Sequence, residues 1–135
     1  MNDANDALVG LFLTHEDLEP AFEDALMYLD RCEAEGGRAD TLAELERSAT
    51  DLRRRVEDHF RVEEAVVFPV MAKAGAPEPL LSSMLAAHEE IRRIAKRALA
   101  ERLDLAALRA FVVAFERHAE FEARALAHFW AKAKR

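Results

Sequence analysis

The sequence is poor in residues that interrupt regular structure. Of its 135 residues only four are glycine and four proline, β-branched residues are sparse, and no stretch alternates polar and apolar as a half-buried strand would. Cys32 is the sole cysteine, which excludes an internal disulfide. No apolar run approaches the ~20 residues needed to span a bilayer. The N-terminal MNDANDALVG lacks the basic start and apolar centre of a secretory signal, so a cytoplasmic protein is expected. An excess of positive charge is missing too. The formal net charge is -7, which disfavours non-specific binding to nucleic acid or to an anionic membrane. The basic clusters Arg53-Arg54-Arg55 and Arg92-Arg93 with Lys96-Arg97 read as solvated helix faces.

What remains is a helix-forming composition. Ala, Leu, Glu and Arg dominate, and 51% hydrophobic residues in a chain of 135 suit one core, hence a single domain over 1–135. Four amphipathic helices are legible. The first spans about Asp6 to Glu35, with Leu8, Leu11, Phe12, His15, Leu18, Phe22, Leu26 and Leu29 on its apolar stripe and Pro20 in its interior. Gly36-Gly37 ends it. The second starts at Asp40 or Thr41, where Thr41 and Glu44 match a capping box. Its stripe is Leu45, Ala49, Leu52, Val56, His59, Glu63, Val66 and Val70. Gly75, Pro77 and Pro79 make the next joint. The third helix runs from about Glu78 to Ala100 with Leu81, Met84, His88, Ile91, Ala95 and Ala98 facing inward. Asp104 is the expected N-cap of the fourth, whose stripe is Leu108, Phe111, Phe115, His118, Glu122, Ala125 and Phe129. Short joints predict an all-α, up-down-up-down four-helix bundle.

The histidines fall into register across this bundle. His15 lies about 20 residues before the first joint and His59 about 19 after it, so in an antiparallel pair both sit ~30 Å from the turn. His59 is about 13 residues before the second joint and His88 about 10 beyond it; the third joint relates His88 and His118 in the same way, with mismatches of ~3 to 5 Å. One histidine per helix therefore enters a common layer, each on its apolar stripe. Glu63 and Glu122 follow His59 and His118 by four residues and so share their faces.

Two buried carboxylates require a cation, because an unpaired buried charge is very costly. No lysine or arginine lies on these stripes. A metal ion meets the need, and imidazole with carboxylate suits iron, zinc, manganese or copper better than calcium or magnesium. Ligands from four separate helices converge poorly on one point, whereas two facing glutamates can bridge a pair of ions. With neutral histidines, two divalent ions leave a net charge of +2 and two trivalent ions +4, so oxidation favours recruiting an anionic oxo or hydroxo bridge.

At these residues the sequence resembles the haemerythrin-like HHE cation-binding family. HEDLEP from His15 to Pro20 is similar to the family's first-helix motif, and HFRVEEAVVFP from His59 to Pro69 to its second-helix signature. His88 in AAHEEIRRI and HAEFE from His118 to Glu122 match the third and fourth helices. The resemblance implies a bundle with a non-haem di-iron centre whose ligands are His15, His59, Glu63, His88, His118 and Glu122. We expect His15 with His59 on one iron and His88 with His118 on the other, both bridged by the glutamates. Oxygen-carrying haemerythrins have a third-helix His-x-x-x-His and a fourth-helix His-x-x-x-x-Asp. Here Met84 and Arg92 flank His88, and the fourth helix carries His-x-x-x-Glu.

The expected role moves accordingly from oxygen carriage to binding or sensing oxygen, peroxide or nitric oxide. The alternatives are a catalase-like or oxidase enzyme and an iron-responsive regulatory module. The expected partner is a small diatomic or peroxide ligand, with the protein a monomer or homodimer. Glu19, four residues after His15, reads as a solvated residue or an extra ligand. Glu64 and Glu89 read as exposed or as neighbours of ligands, His128 and Tyr28 lie off the stripes, and Trp130 is expected near the bundle end.

Overall fold

Glycine and aspartate punctuate the chain where its helices end and begin. In the computed structural model the backbone is described for residues 3–133 and the side chains for residues 18–128. Helix α1 (Asp3–Glu35) runs through Pro20 without a break. It closes at Gly36 and Gly37, with φ of 73° and 78°, where the Gly37 amide donates to the Cys32 carbonyl at 2.9 Å. That left-handed closure satisfies a helix-end carbonyl at no side-chain cost. Helix α2 (Ala39–Val62) starts one turn earlier than a Thr41 cap implies. The expected Thr41–Glu44 capping box is not made. Asp40 Oδ1 accepts the Thr41 amide at 2.9 Å, and the Thr41 hydroxyl donates to Glu35 at 3.1 Å instead.

Beyond α2 the rod continues as a π-helical turn (Glu63–Val67) and helix α3 (Phe68–Lys73). The Phe68 amide reaches back five residues to the Glu63 carbonyl. This turn holds one residue more than an α-turn, so the inward face advances by one position. Val67 is therefore buried at 3% exposure, while Val66, expected inside, is 53% exposed. Pro69 lies just past the turn, in the first turn of α3, where its missing amide does least harm.

Gly75, at φ 97°, reverses the chain into helix α4 (Glu78–Ala98). Helix α5 (Leu105–Ala133) follows, capped as expected by Asp104, whose Oδ1 accepts the Ala107 amide at 3.0 Å. Helix α1 packs along α2, α4 along α5, and α1 and α5 close the bundle. Among the described residues no helix is long and apolar enough to cross a membrane.

The core has two apolar clusters. One is built from Leu18, Phe22 and Leu29 of α1, Leu45 to Phe60 of α2, Ile91 to Ala98 of α4, and Ala107 to Phe115 of α5. The other comprises Val67, Phe68, Met71, Met84 and Leu126. Along every rod that contributes to both, the buried residues between the clusters are histidine or glutamate. Leu8, Leu11, Phe12, Phe129 and Trp130 lie outside the described side chains.

Candidate metal centre

Five polar residues occupy that intermediate layer: His59, Glu63, His88, His118 and Glu122, at 0 to 6% exposure. Helix α2 supplies His59 and the π turn Glu63, which stays in line with His59 because the extra residue enters only after it. Helix α4 supplies His88, and α5 supplies His118 and Glu122 one turn apart. The backbone of His15 belongs to α1, but its side chain lies outside those described.

The donor atoms are close. His59 Nε2 is 2.6 Å from Glu63 Oε1, and His118 Nε2 is 2.9 Å from Glu122 Oε2. His88 Nε2 lies between the two carboxylates, 3.7 Å from Glu63 Oε1 and 3.8 Å from Glu122 Oε2. Nevertheless His88 Nε2, both ring nitrogens of His118 and both oxygens of Glu63 make no hydrogen bond with the described residues. Close, buried and misaligned for donation, these lone pairs converge on shared space. Buried polar atoms are ordinarily hydrogen-bonded, so an arrangement like this calls for a cation.

The donors fall into two groups, His88, His118 and Glu122, and His59, Glu63 and Glu122, with the atoms of each group within 4.8 Å of one another. Donors on opposite sides of an ion with bonds of ~2.1 Å are ~4.2 Å apart. The residues thus fit a transition metal, and Glu122 belongs to both groups.

The two carboxyl groups are pushed in opposite directions. Burial first, and then the Glu122 carboxylate, push the Glu63 carboxyl up to about 11. Burial also works against charge on Glu122, but His118 and His88 outweigh it and hold that carboxyl below its usual range. One charge survives and the other carboxyl keeps its proton until a cation replaces it.

Aromatic rings wall the layer. Phe60 stacks on His88 with centroids 3.8 Å apart at 11°, Phe68 lies 5.5 Å from the same ring, and the Phe115 ring is 6.2 Å from that of His59. Phe115 and Phe22, stacked at 4.7 Å, also floor a surface cavity of about 480 Å³ between α1 and α5, bordered by Glu19 and Glu23. Glu19 is exposed there and belongs to neither donor group. His128 is exposed, and Tyr28 packs against the larger apolar cluster.

Two residues carry more than their sequence positions suggest. Glu64 contacts His88 Nδ1 at 2.7 Å. Arg92, read as part of a solvated basic face, is only 25% exposed and bonds Glu64 and Glu57, with its guanidinium 5.3 Å from the Phe60 ring centroid. Burial opposes the Glu64 charge, and Arg92 and His88 outweigh it, holding the carboxyl below its usual range. The position of Glu64 next to Glu63, and of Arg92 four residues after His88, was the sequence signal for this arrangement.

A helical bundle with imidazoles and carboxylates gathered in one buried layer defines a metal-binding protein. The Hemerythrin HHE cation binding domain family matches residues 6–129, and the chain belongs to that family. Neither curated proteins nor solved structures gave a match.

Proposed function

We propose that the protein holds two non-haem irons in a His4Glu2 centre formed by His15, His59, His88, His118, Glu63 and Glu122, and uses it to bind or sense dioxygen, peroxide or nitric oxide. The carrying observation is that Glu122 is shared by two donor groups, one with His88 and His118 and the other with His59 and Glu63. A single ion does not need two such groups, whereas a pair bridged by a carboxylate does. The choice of iron follows the family and the mixed imidazole–carboxylate donor set.

When bound, ferrous iron supplies transferable electrons and open positions for a small ligand. The chain supplies the rest. Phe60, Phe68 and Phe115 exclude water from the layer, which strengthens every charge interaction within it. Glu63 gives up its proton as the ions enter, so loading releases acid. Phe115, on the floor of the α1–α5 cavity, lies beside His59 and offers a small apolar ligand a way in.

Iron analysis of the purified protein should find about two ions per chain, and the reduced protein should gain a visible charge-transfer band on exposure to oxygen or nitric oxide. Well under about one iron per chain from iron-replete medium, or an unchanged spectrum, would sink the proposal. A second reading, an iron-responsive module, is favoured by the two buried carboxylates that need a cation. It requires that chelation lower the melting temperature sharply and that oxygen leave the spectrum unaltered.

A further inference from the structure

His88 differs from His118 in what stands behind it. Its Nδ1 meets a carboxylate oxygen of Glu64 at 2.7 Å, whereas neither ring nitrogen of His118 makes a hydrogen bond with the described residues. A carboxylate only accepts, so the proton of that contact sits on Nδ1. In the neutral ring the lone pair is then on Nε2, which faces Glu63 at 3.7 Å and Glu122 at 3.8 Å. The opposite tautomer would set the Nδ1 lone pair against the Glu64 charge.

Glu64 is itself held. Arg92 approaches it through two nitrogens, Nη2 to Oε1 at 3.1 Å and Nη1 to Oε2 at 3.0 Å. The guanidinium is fixed in turn by Glu57, which accepts Nε–H at 2.9 Å, and by Glu89, which accepts Nη1–H at 2.6 Å. The Phe60 ring beneath the guanidinium also stacks on His88. The ring of His88 is thereby clamped in its plane by Phe60 and along its edge by Glu64. The chain spans three elements: Glu57 on α2, Glu64 on the π turn, and Arg92 with His88 one turn apart on α4.

We propose that Glu64 and Arg92 are positioning residues that lock His88 as its Nδ1–H tautomer and aim Nε2 into the centre, so that the ion held by His88 and His118 depends on them more than the other does. The proposal rests on the reading of His88 as a ligand. It also gives the π turn a purpose: Glu63 and Glu64 are consecutive, yet one points into the layer and the other reaches around to the back of a ligand on the neighbouring helix.

Cobalt(II) alone is the probe, titrated into full-length protein against a chelating competitor, with its visible bands reporting the ligand field. Wild type should take up about two ions per chain. Glu64→Ala should weaken one of the two steps by about 10- to 100-fold and shift its bands, the usual size of effect for losing a carboxylate behind a ligating histidine. Glu64→Gln keeps an acceptor for Nδ1–H and should recover most of that affinity. Arg92→Met, which leaves Glu64 unanchored, should fall between them. Glu90→Ala removes only an exposed partner of Arg93, and should match wild type. Folding of each variant is checked by circular dichroism. If Glu64→Ala binds both ions within about twofold of wild type, or weakens both steps equally, the positioning role is overturned while the metal centre stands. If wild type itself takes up no cobalt, the centre and this proposal fall together.

Discussion

The second rod of the bundle obeys two registers. From Leu45 to His59 the buried positions Leu45, Ala49, Leu52, Val56 and His59 follow ordinary α-helical spacing. Past Glu63 the buried residues are Val67, Phe68 and Met71, each one position later than the same spacing predicts. Up to Val56 the first half packs leucine, alanine and valine and has only to be apolar before it delivers His59. The second half must bring Glu63 into the layer and Glu64 to the back of His88, and then return to apolar packing around a proline. The π turn is where those demands meet, and its extra residue lets Glu63 face in and Glu64 face His88 without displacing α2. Local irregularity of this kind collects at functional sites because regular geometry cannot place neighbouring side chains on both sides of one ligand.

The sharpest way to break this comparison is to put the same charge on each side of the register shift. Val67→Asp should cost ~4 kcal/mol or more, since it buries an unpaired carboxylate. Val66→Asp should stay within ~0.5 kcal/mol, the range for a surface change. Denaturant melts of both variants decide it, and a reversed order would restore an unbroken α-helix.

The next effect compares the polar layer with the apolar clusters. The double variant Glu63→Met with Glu122→Met removes two buried carboxyl groups from the chelated protein. It should raise chelated stability by ~1 to 4 kcal/mol, as replacing buried charges by well-packed apolar groups often does. It should also abolish any gain in melting temperature on adding iron. A chelated double variant less stable than chelated wild type would show that the layer is a net asset without metal.

A pH series tests the same layer more gently. Glu63 has a folded value of about 11 against an ordinary 4.5. As pH rises the unfolded chain ionises first. The stabilisation carried by the protonated folded form is therefore whole below the unfolded value and is lost progressively as pH climbs from there to about 11. Chelated protein should melt at a lower temperature near about pH 9 than near about pH 6, and iron-loaded protein should lack that slope because the ions have already displaced the proton.

The smallest effect is expected at the surface. Asp51 is held below its usual range first by Arg54 and then by Arg55, with contacts of 2.8 Å to each. The pairs are exposed, so Asp51→Ala should cost no more than ~0.5 kcal/mol and less at high salt. A thermal melt at low and high ionic strength measures it.

Most of the bundle was legible because a helix repeats. The stripes from Leu81 to Ala98 and from Leu108 to Ala125, the Gly36-Gly37 and Gly75 turns and the Asp104 cap all lie where spacing and residue chemistry place them. The layer was legible for the same reason, since counting residues from each joint converts directly into height. The capping box at Thr41 was misread because Asp40, one residue earlier, competes for the same amide. Val66 and Val67 were indistinguishable by type, so only the hydrogen bond from Phe68 to Glu63 reveals which one faces inward.

Composition and periodicity by themselves determined the helical fold, the four rods and the height at which histidine and glutamate accumulate, because each depends on separations along one chain. Tertiary structure alone decided the sharing of Glu122 between two donor groups, the burial of Arg92 over Phe60 and the pairing of Glu64 with His88. Those depend on side chains from different helices meeting at hydrogen-bond distance, a condition of rotation and register between rods that no single helix encodes.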